Sequence, residues 1–91
     1  MKIKIEKQEK NDLVVNGKIY QVEELFMMLT GENKNKVRQL SRIYWDEESK
    51  AYFFDLGDDQ VNSNFLDTYI EKVDESDYIR CLDCDNWVYR Y

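Results

Sequence analysis

From its second residue the chain alternates polar and apolar positions. Lys2-Ile3-Lys4-Ile5-Glu6-Lys7 has the period of two that predicts a half-buried strand with Ile3 and Ile5 inward. A polar turn from Gln8 to Asn11 leads to Leu13-Val14-Val15, then Asn16-Gly17, then Lys18-Ile19-Tyr20. Asn-Gly between apolar runs predicts a β-hairpin, because a type I′ turn needs positive φ at both central residues. A two-residue loop sets Val14 opposite Ile19 and Leu13 opposite Tyr20.

The period then changes. Val22, Leu25, Phe26 and Leu29 fall at i, i+3, i+4 and i+7, which predicts an amphipathic helix. Glu23 and Glu24 would lie in its first turn, where the helix dipole favours acids, and Gly31 would close it. Val37, Leu40 and Tyr44 continue a helical spacing, so helix is expected from Asn33 to about Ser41 and strand from Arg42 to Trp45. Asp46-Glu47-Glu48-Ser49 reads as a turn into a strand from Lys50 to Leu56, ended by Gly57-Asp58-Asp59. Val61, Phe65, Leu66, Tyr69, Ile70 and Val73 share one face of a third expected helix, with Asn62 or Ser63 as its cap. Tyr78–Asp83 and Trp87–Tyr91 predict a terminal hairpin around Cys84-Asp85-Asn86. The expected fold is therefore α+β: a small single domain over residues 1–91, with antiparallel β-hairpins packed with about three helices. Its expected core is Ile3, Ile5, Val14, Ile19, Leu25, Phe26, Leu29, Val37, Leu40, Trp45, Phe53, Phe65, Ile70 and Val73.

Composition narrows the function classes. No apolar run approaches the ~20 residues of a membrane span, and the alternating N-terminus lacks the apolar stretch of a signal peptide. Histidine is absent, which removes the ordinary neutral-pH general base and the commonest metal ligand. The four serines, at positions 41, 49, 63 and 76, have no His to activate them, so the usual triads are impossible. The three glycines are isolated, so there is no Gly-rich phosphate loop. Asp55, Asp58 and Asp59 with Asn62 do not match the alternate-ligand spacing of a calcium loop. Cys81-Leu82-Asp83-Cys84 lacks the following helix that would activate a redox thiol, and tetrahedral zinc needs four ligands where one chain supplies two cysteines. The cysteines are expected to be reduced and non-catalytic, as in a cytoplasmic protein. The chain is not expected to be an enzyme or to hold a cofactor or metal. Lys, Asn, Ile and Tyr supply 29 residues while Gly, Ala, Arg and Pro supply eight. That bias towards AT-rich codons points to a low-GC bacterium, its phage or a plasmid.

Charge divides the chain. Residues 1–44 hold nine Lys/Arg against six Asp/Glu, whereas residues 45–91 hold four against thirteen, for an overall net charge of −6. Each half suggests a partner. Val22-Glu23-Glu24-Leu25, the turn Thr30-Gly31, and Val37 with Leu40 resemble the helix-turn-helix family of DNA readers. That resemblance implies that the basic segment 33–42, through Lys34, Lys36, Arg38 and Arg42, would face phosphate. It departs from the family pattern at Met27, where a small residue is usual, and at Glu32, where an apolar one normally follows the glycine. The net negative charge also opposes nonspecific attraction to DNA, so direct nucleic-acid binding is the weaker reading.

The acidic half supports the leading one. On the third expected helix Asp67, Glu71, Asp74 and Glu75 form one negative stripe whose neighbours repel by ~0.2–0.5 kcal/mol per pair. Asp58 and Asp59 extend it, and Tyr78, Trp87, Tyr89 and Tyr91 supply aromatic anchors of the kind that dominate interfaces. A small, acidic, Tyr-rich chain without Pro or His is similar in composition to phage-encoded anti-CRISPR and anti-restriction inhibitors. The likeness implies a nucleic-acid mimic that occludes a basic groove on a defence enzyme. The expected function is a non-catalytic protein-binding module of that inhibitor class.

Overall fold

The computed structural model describes residues 5–9, 11–81 and 87–90. Asn16 and Gly17 both take positive φ, 52° and 80°, as the type I′ turn requires. The turn joins β2 (Asp12–Val15) to β3 (Lys18–Gln21), with Leu13 opposite Tyr20 and Val14 opposite Ile19, the expected register. On its other edge β2 pairs with β1 (Ile5–Glu9), completing an antiparallel three-stranded sheet in the order β1-β2-β3.

The remaining strands share a second, larger sheet: β4 (Leu25–Met28), β5 (Val37–Asp46), β6 (Ala51–Leu56), β7 (Asp59–Asn62), β8 (Ile70–Lys72), β9 (Tyr78–Arg80) and β10 (Trp87–Tyr89). The long strand β5 organises it. Its first residues pair with β4 and, at Val37, with β10, while Leu40 to Asp46 pair with β6, which in turn pairs with β7. A register shift between Leu40 and Arg42 marks the change. β8 closes against the far edge of β4, and β9 against β10. One buried cluster joins the two sheets: Leu13, Val15 and Tyr20 from the first meet Phe26, Met28, Leu40, Ile43, Phe54, Leu56, Val61, Leu66 and Ile70. The Tyr20 ring lies 5.8 Å from that of Phe26 and 5.4 Å from that of Phe54, seating β3 on the larger sheet.

The fold is mostly antiparallel β, and the expectation of α+β with about three helices is corrected. Among the described residues the helical elements are α1 (Leu66–Tyr69), a single turn, and two 3-10 turns, Ser63–Phe65 and Glu75–Asp77. The first expected helix is β4. It is a central strand, paired on its two edges with β5 and β8, and Leu25, Phe26 and Met28 are buried, so its run carries no alternation to distinguish it from a buried helix. The second is the start of β5. Arg38 and Leu40 alternate as in any strand, the irregularity after Leu40 shifts the next buried position to Ile43, and Val37 is buried from the opposite face, so three unrelated causes imitate helical spacing. Both limbs of the helix-turn-helix resemblance are thus strands. Two of its four basic residues are also committed otherwise: Arg38 is buried, and Arg42 pairs with Asp55 at 3.0 Å and lies 4.2 Å over the Tyr44 ring.

Of the third expected helix only the turns at 63–69 form. Of the two expected caps, Asn62 and Ser63, it is Asn62 that caps, though it caps the 3-10 turn, its side chain accepting from the Asn64 N–H at 2.8 Å. Asn, Asp, Thr and Tyr are poor helix formers, and a short helix is marginal alone. Pairing Ile70–Lys72 with the open edge of β4 satisfies more backbone groups. The terminal hairpin forms as β9 and β10, with its connecting residues 82–86 outside those described.

In the expected core, Leu25, Phe26, Val37, Leu40 and Ile70 are buried, whereas Ile19, Trp45 and Phe65 are about half exposed and Ile3 lies outside the described residues. Gly57 has a steric reason to be glycine. Its φ is +64°, and a Cβ there would stand 2.3 Å from the buried Arg38 guanidinium. Among the described residues no helix is long and apolar enough to cross a membrane.

Candidate functional site

Strand alternation decides which backbone groups the two sheets leave open. In β3 the N–H of Val22 donates to Asn11 O, so residues 18, 20 and 22 aim their backbone at β2, while Ile19 and Gln21 aim theirs away. Gln21 is then satisfied by the turn that follows: its N–H donates to Glu24 Oε1 at 2.7 Å and its carbonyl accepts from the Glu24 N–H at 3.2 Å. In β8 the Val73 N–H donates to Leu25 O and Tyr69 O accepts from Leu29, so residues 69, 71 and 73 face β4. Ile70 and Lys72 face the other way.

Between these two edges lies a cleft of about 580 Å³, lined by Lys18, Ile19, Tyr20, Leu29, Asp67, Ile70, Glu71 and Lys72. Its walls are β3 on one side and α1 with β8 on the other. Lys72 also lines an adjoining cleft of about 390 Å³ with Gln21, Val22, Glu23, Glu24, Leu25, Val73 and Glu75. The two make one trough along the seam between the sheets.

Taken together the two clefts are lined by five acids, Asp67, Glu71, Glu23, Glu24 and Glu75, against two lysines, although the larger alone holds two of each sign. Each lysine is engaged, Lys18 with Asp67 at 3.3 Å and Lys72 with Glu24 at 2.5 Å. Glu23, Glu71 and Glu75 have no cationic partner among the described residues. Glu23 is also held at φ +84°, as the third residue of a turn closed by the Glu24 N–H on Gln21 O, where glycine is the relaxed choice. A non-glycine residue there costs of order 1 kcal/mol. On the floor, burial first and the Asp67 carboxylate second hold the Tyr20 hydroxyl above the ordinary tyrosine range. Beyond Glu75's end of the trough, Asp74 accepts from both the N–H and the hydroxyl of Ser76, which holds its carboxyl below the usual range.

The residues expected to bind a partner are only partly brought together. Asp67 and Glu71 line the larger cleft and Glu75 the smaller, with Asp74 capping the 3-10 turn that carries Glu75. They sit on a helical turn, a strand and a 3-10 turn, so the single helical stripe is corrected to a trough wall built from three elements. Asp58 and Asp59 stand apart in the β6–β7 connection and the start of β7. There Asp59 accepts from Asn33 Nδ2 at 2.7 Å and lines a separate cleft with Phe53, Phe65 and Tyr69. Tyr78, Trp87 and Tyr89 do cluster, lining a further cleft with Met27 and Val37. Tyr91 lies outside the described residues.

Sequence reasoning missed Lys18, Ile19, Tyr20, Glu23 and Glu24 as members of the site. The adjacent Glu23-Glu24 pair was the available signal, read there as a helix start. The expectation of reduced cysteines is also corrected: Cys81 is disulfide-bonded, and Cys84, the chain's only other cysteine, lies outside the described residues. Comparisons with protein-family models, curated proteins and solved structures give no match for this chain.

Proposed function

We propose that this protein is a non-catalytic protein-binding module that presents its acidic trough to a basic partner. One observation carries the reading: Glu23, Glu71 and Glu75 surround a seam whose two lysines are already engaged, leaving net negative charge around an open cleft. Uncompensated charge at a cleft steers a partner of opposite sign and discriminates against others. Within this reading the partner is a protein with a basic, nucleic-acid-processing groove, and the module acts as an inhibitor of the anti-CRISPR or anti-restriction kind. Such a partner sets the site of action in the cytoplasm; the Cys81 disulfide stands against that placement, because cytosolic thiols are mostly kept reduced.

The test uses the chain as bait in extracts of its source cells. The wild type is compared with a Glu71→Lys, Glu75→Lys double variant and a Lys34→Glu, Lys36→Glu double variant. The acidic reversal should leave the circular dichroism spectrum unchanged and lower recovery of the partner at least tenfold, while the basic reversal leaves recovery unchanged. Equal recovery by wild type and acidic reversal overturns the reading.

A further inference from the structure

The two strand edges that border the larger cleft are open to a further strand. On β3 the N–H and carbonyl of Ile19 point away from β2, and on β8 the N–H and carbonyl of Lys72 and the carbonyl of Ile70 point away from β4. None of these groups has a backbone or side-chain partner among the described residues; the Ile70 N–H is already given to Leu66 O. Open edges are a liability that folds blunt with charge, bulges or cover, and here Ile19 is 56% exposed beside its edge. The cleft between them holds about 580 Å³, within the range of ligand sites, over an apolar floor of Tyr20, Leu29 and Ile70.

We propose that this cleft binds an extended, basic peptide segment of a partner protein by strand addition, the peptide lying between β3 and β8 and joining the two sheets. Its backbone would exchange hydrogen bonds with Ile19 on one side and Lys72 on the other, and alternate side chains would fall on the apolar floor and towards solvent. Basic side chains suit the occupant because Glu71 stands beside the larger cleft, and Glu23 and Glu75 beside its continuation, without cationic partners. The inference rests on the binding-module reading and specifies how that module holds its partner.

The probe is the acetylated, amidated heptapeptide Lys-Val-Lys-Thr-Lys-Val-Lys, titrated calorimetrically into the full chain. A second copy of the probe is N-methylated at alternate residues, which removes strand hydrogen bonds and keeps the charge. Binding of the first, with at least a tenfold loss for the second, supports strand addition. No binding of the unmodified peptide, or equal binding of both, overturns it. Ile19→Pro and Lys72→Pro each delete an outward N–H that no ladder bond uses, a position where edge strands tolerate proline. Both should melt near the wild-type temperature and lose peptide affinity tenfold or more; retained affinity overturns the proposal. Should either fail to fold, amide exchange on the wild type decides, with slowing at Ile19 and Lys72 on peptide addition expected and unchanged rates contradicting it. A free chain that sediments as a dimer the peptide cannot dissociate gives the edges to a second copy and overturns the peptide occupant. Partner recovery that survives both prolines but falls in the acidic reversal removes strand addition alone. Recovery unaffected by any of these changes removes the module reading itself.

Discussion

Tyr20 shows how a single side chain reports on the seam. Its ring is packed between Phe26 and Phe54, and its hydroxyl shares the cleft with Asp67. Burial and that carboxylate both disfavour the phenolate, so the folded-state value lies above the free value of about 10. The neutral hydroxyl's contribution to stability is therefore complete below pH ~10 and is lost as pH rises through the folded value. The melting temperature of the wild type should fall more steeply above pH ~10 than that of Tyr20→Phe. Ultraviolet difference titration should find Tyr20 ionising earlier in Asp67→Asn than in the wild type. Identical titrations would mean that Asp67 does not bear on the hydroxyl. The burial of Tyr20 was partly legible, since the Asn16-Gly17 turn pairs it with the buried Leu13. The strained φ of Glu23 was not, because nothing local marks a glutamate as the third residue of a tight turn.

Among the elements, β4 and the 63–69 turns separate what apolar spacing can and cannot say. Phe26 and Phe65 occupy equivalent places in the two expected helices, yet Phe26 is fully buried and Phe65 is 54% exposed, edge-on to Tyr69. Phe26→Ala should cost about 3–5 kcal/mol of the ~5–15 kcal/mol available to a small domain. Phe65→Ala should cost under ~1 kcal/mol, as a surface substitution does. Denaturant midpoints at unchanged slope would measure both, and equal losses would contradict the strand assignment. Helical periodicity failed here because hydrophobic spacing reports which residues are buried, not which hydrogen bonds they make. β4 is an inner strand, paired on both edges, with Leu25, Phe26 and Met28 all buried, so its apolar residues show no alternation.

For the whole molecule, a net charge of −6 was plain from composition, and the structure gathers part of it along one seam while leaving Asp58 and Asp59 elsewhere. A trough of this kind attracts a basic segment over distances that salt screens. Raising ionic strength from about 0.1 M to about 1 M shortens the Debye length from ~10 Å to ~3 Å. Affinity for the Lys/Val/Thr probe should fall at least ~tenfold over that range, while strand bonds formed at contact keep some binding at the upper end. Calorimetry across the salt series checks this, and a flat series would assign the acids no part in recognition.

What the sequence by itself determined was local. Asn16-Gly17 set a hairpin and its register, the Asn62-Ser63 pair set a cap, and the spread of acids and aromatics set the charge and the aromatic content. Each of these depends on neighbours a few residues away. The tertiary structure decided that Leu25–Met28 and Ile70–Lys72 are strands, that the supposed acidic helix is three short elements, and that Glu23 and Glu24 belong with Glu71 and Glu75. A helix closes its hydrogen bonds within its own turn and so advertises itself in local spacing. The bonds between β4 and β8 join residues as distant in sequence as Met27 and Glu71, and only the folded chain brings those partners together.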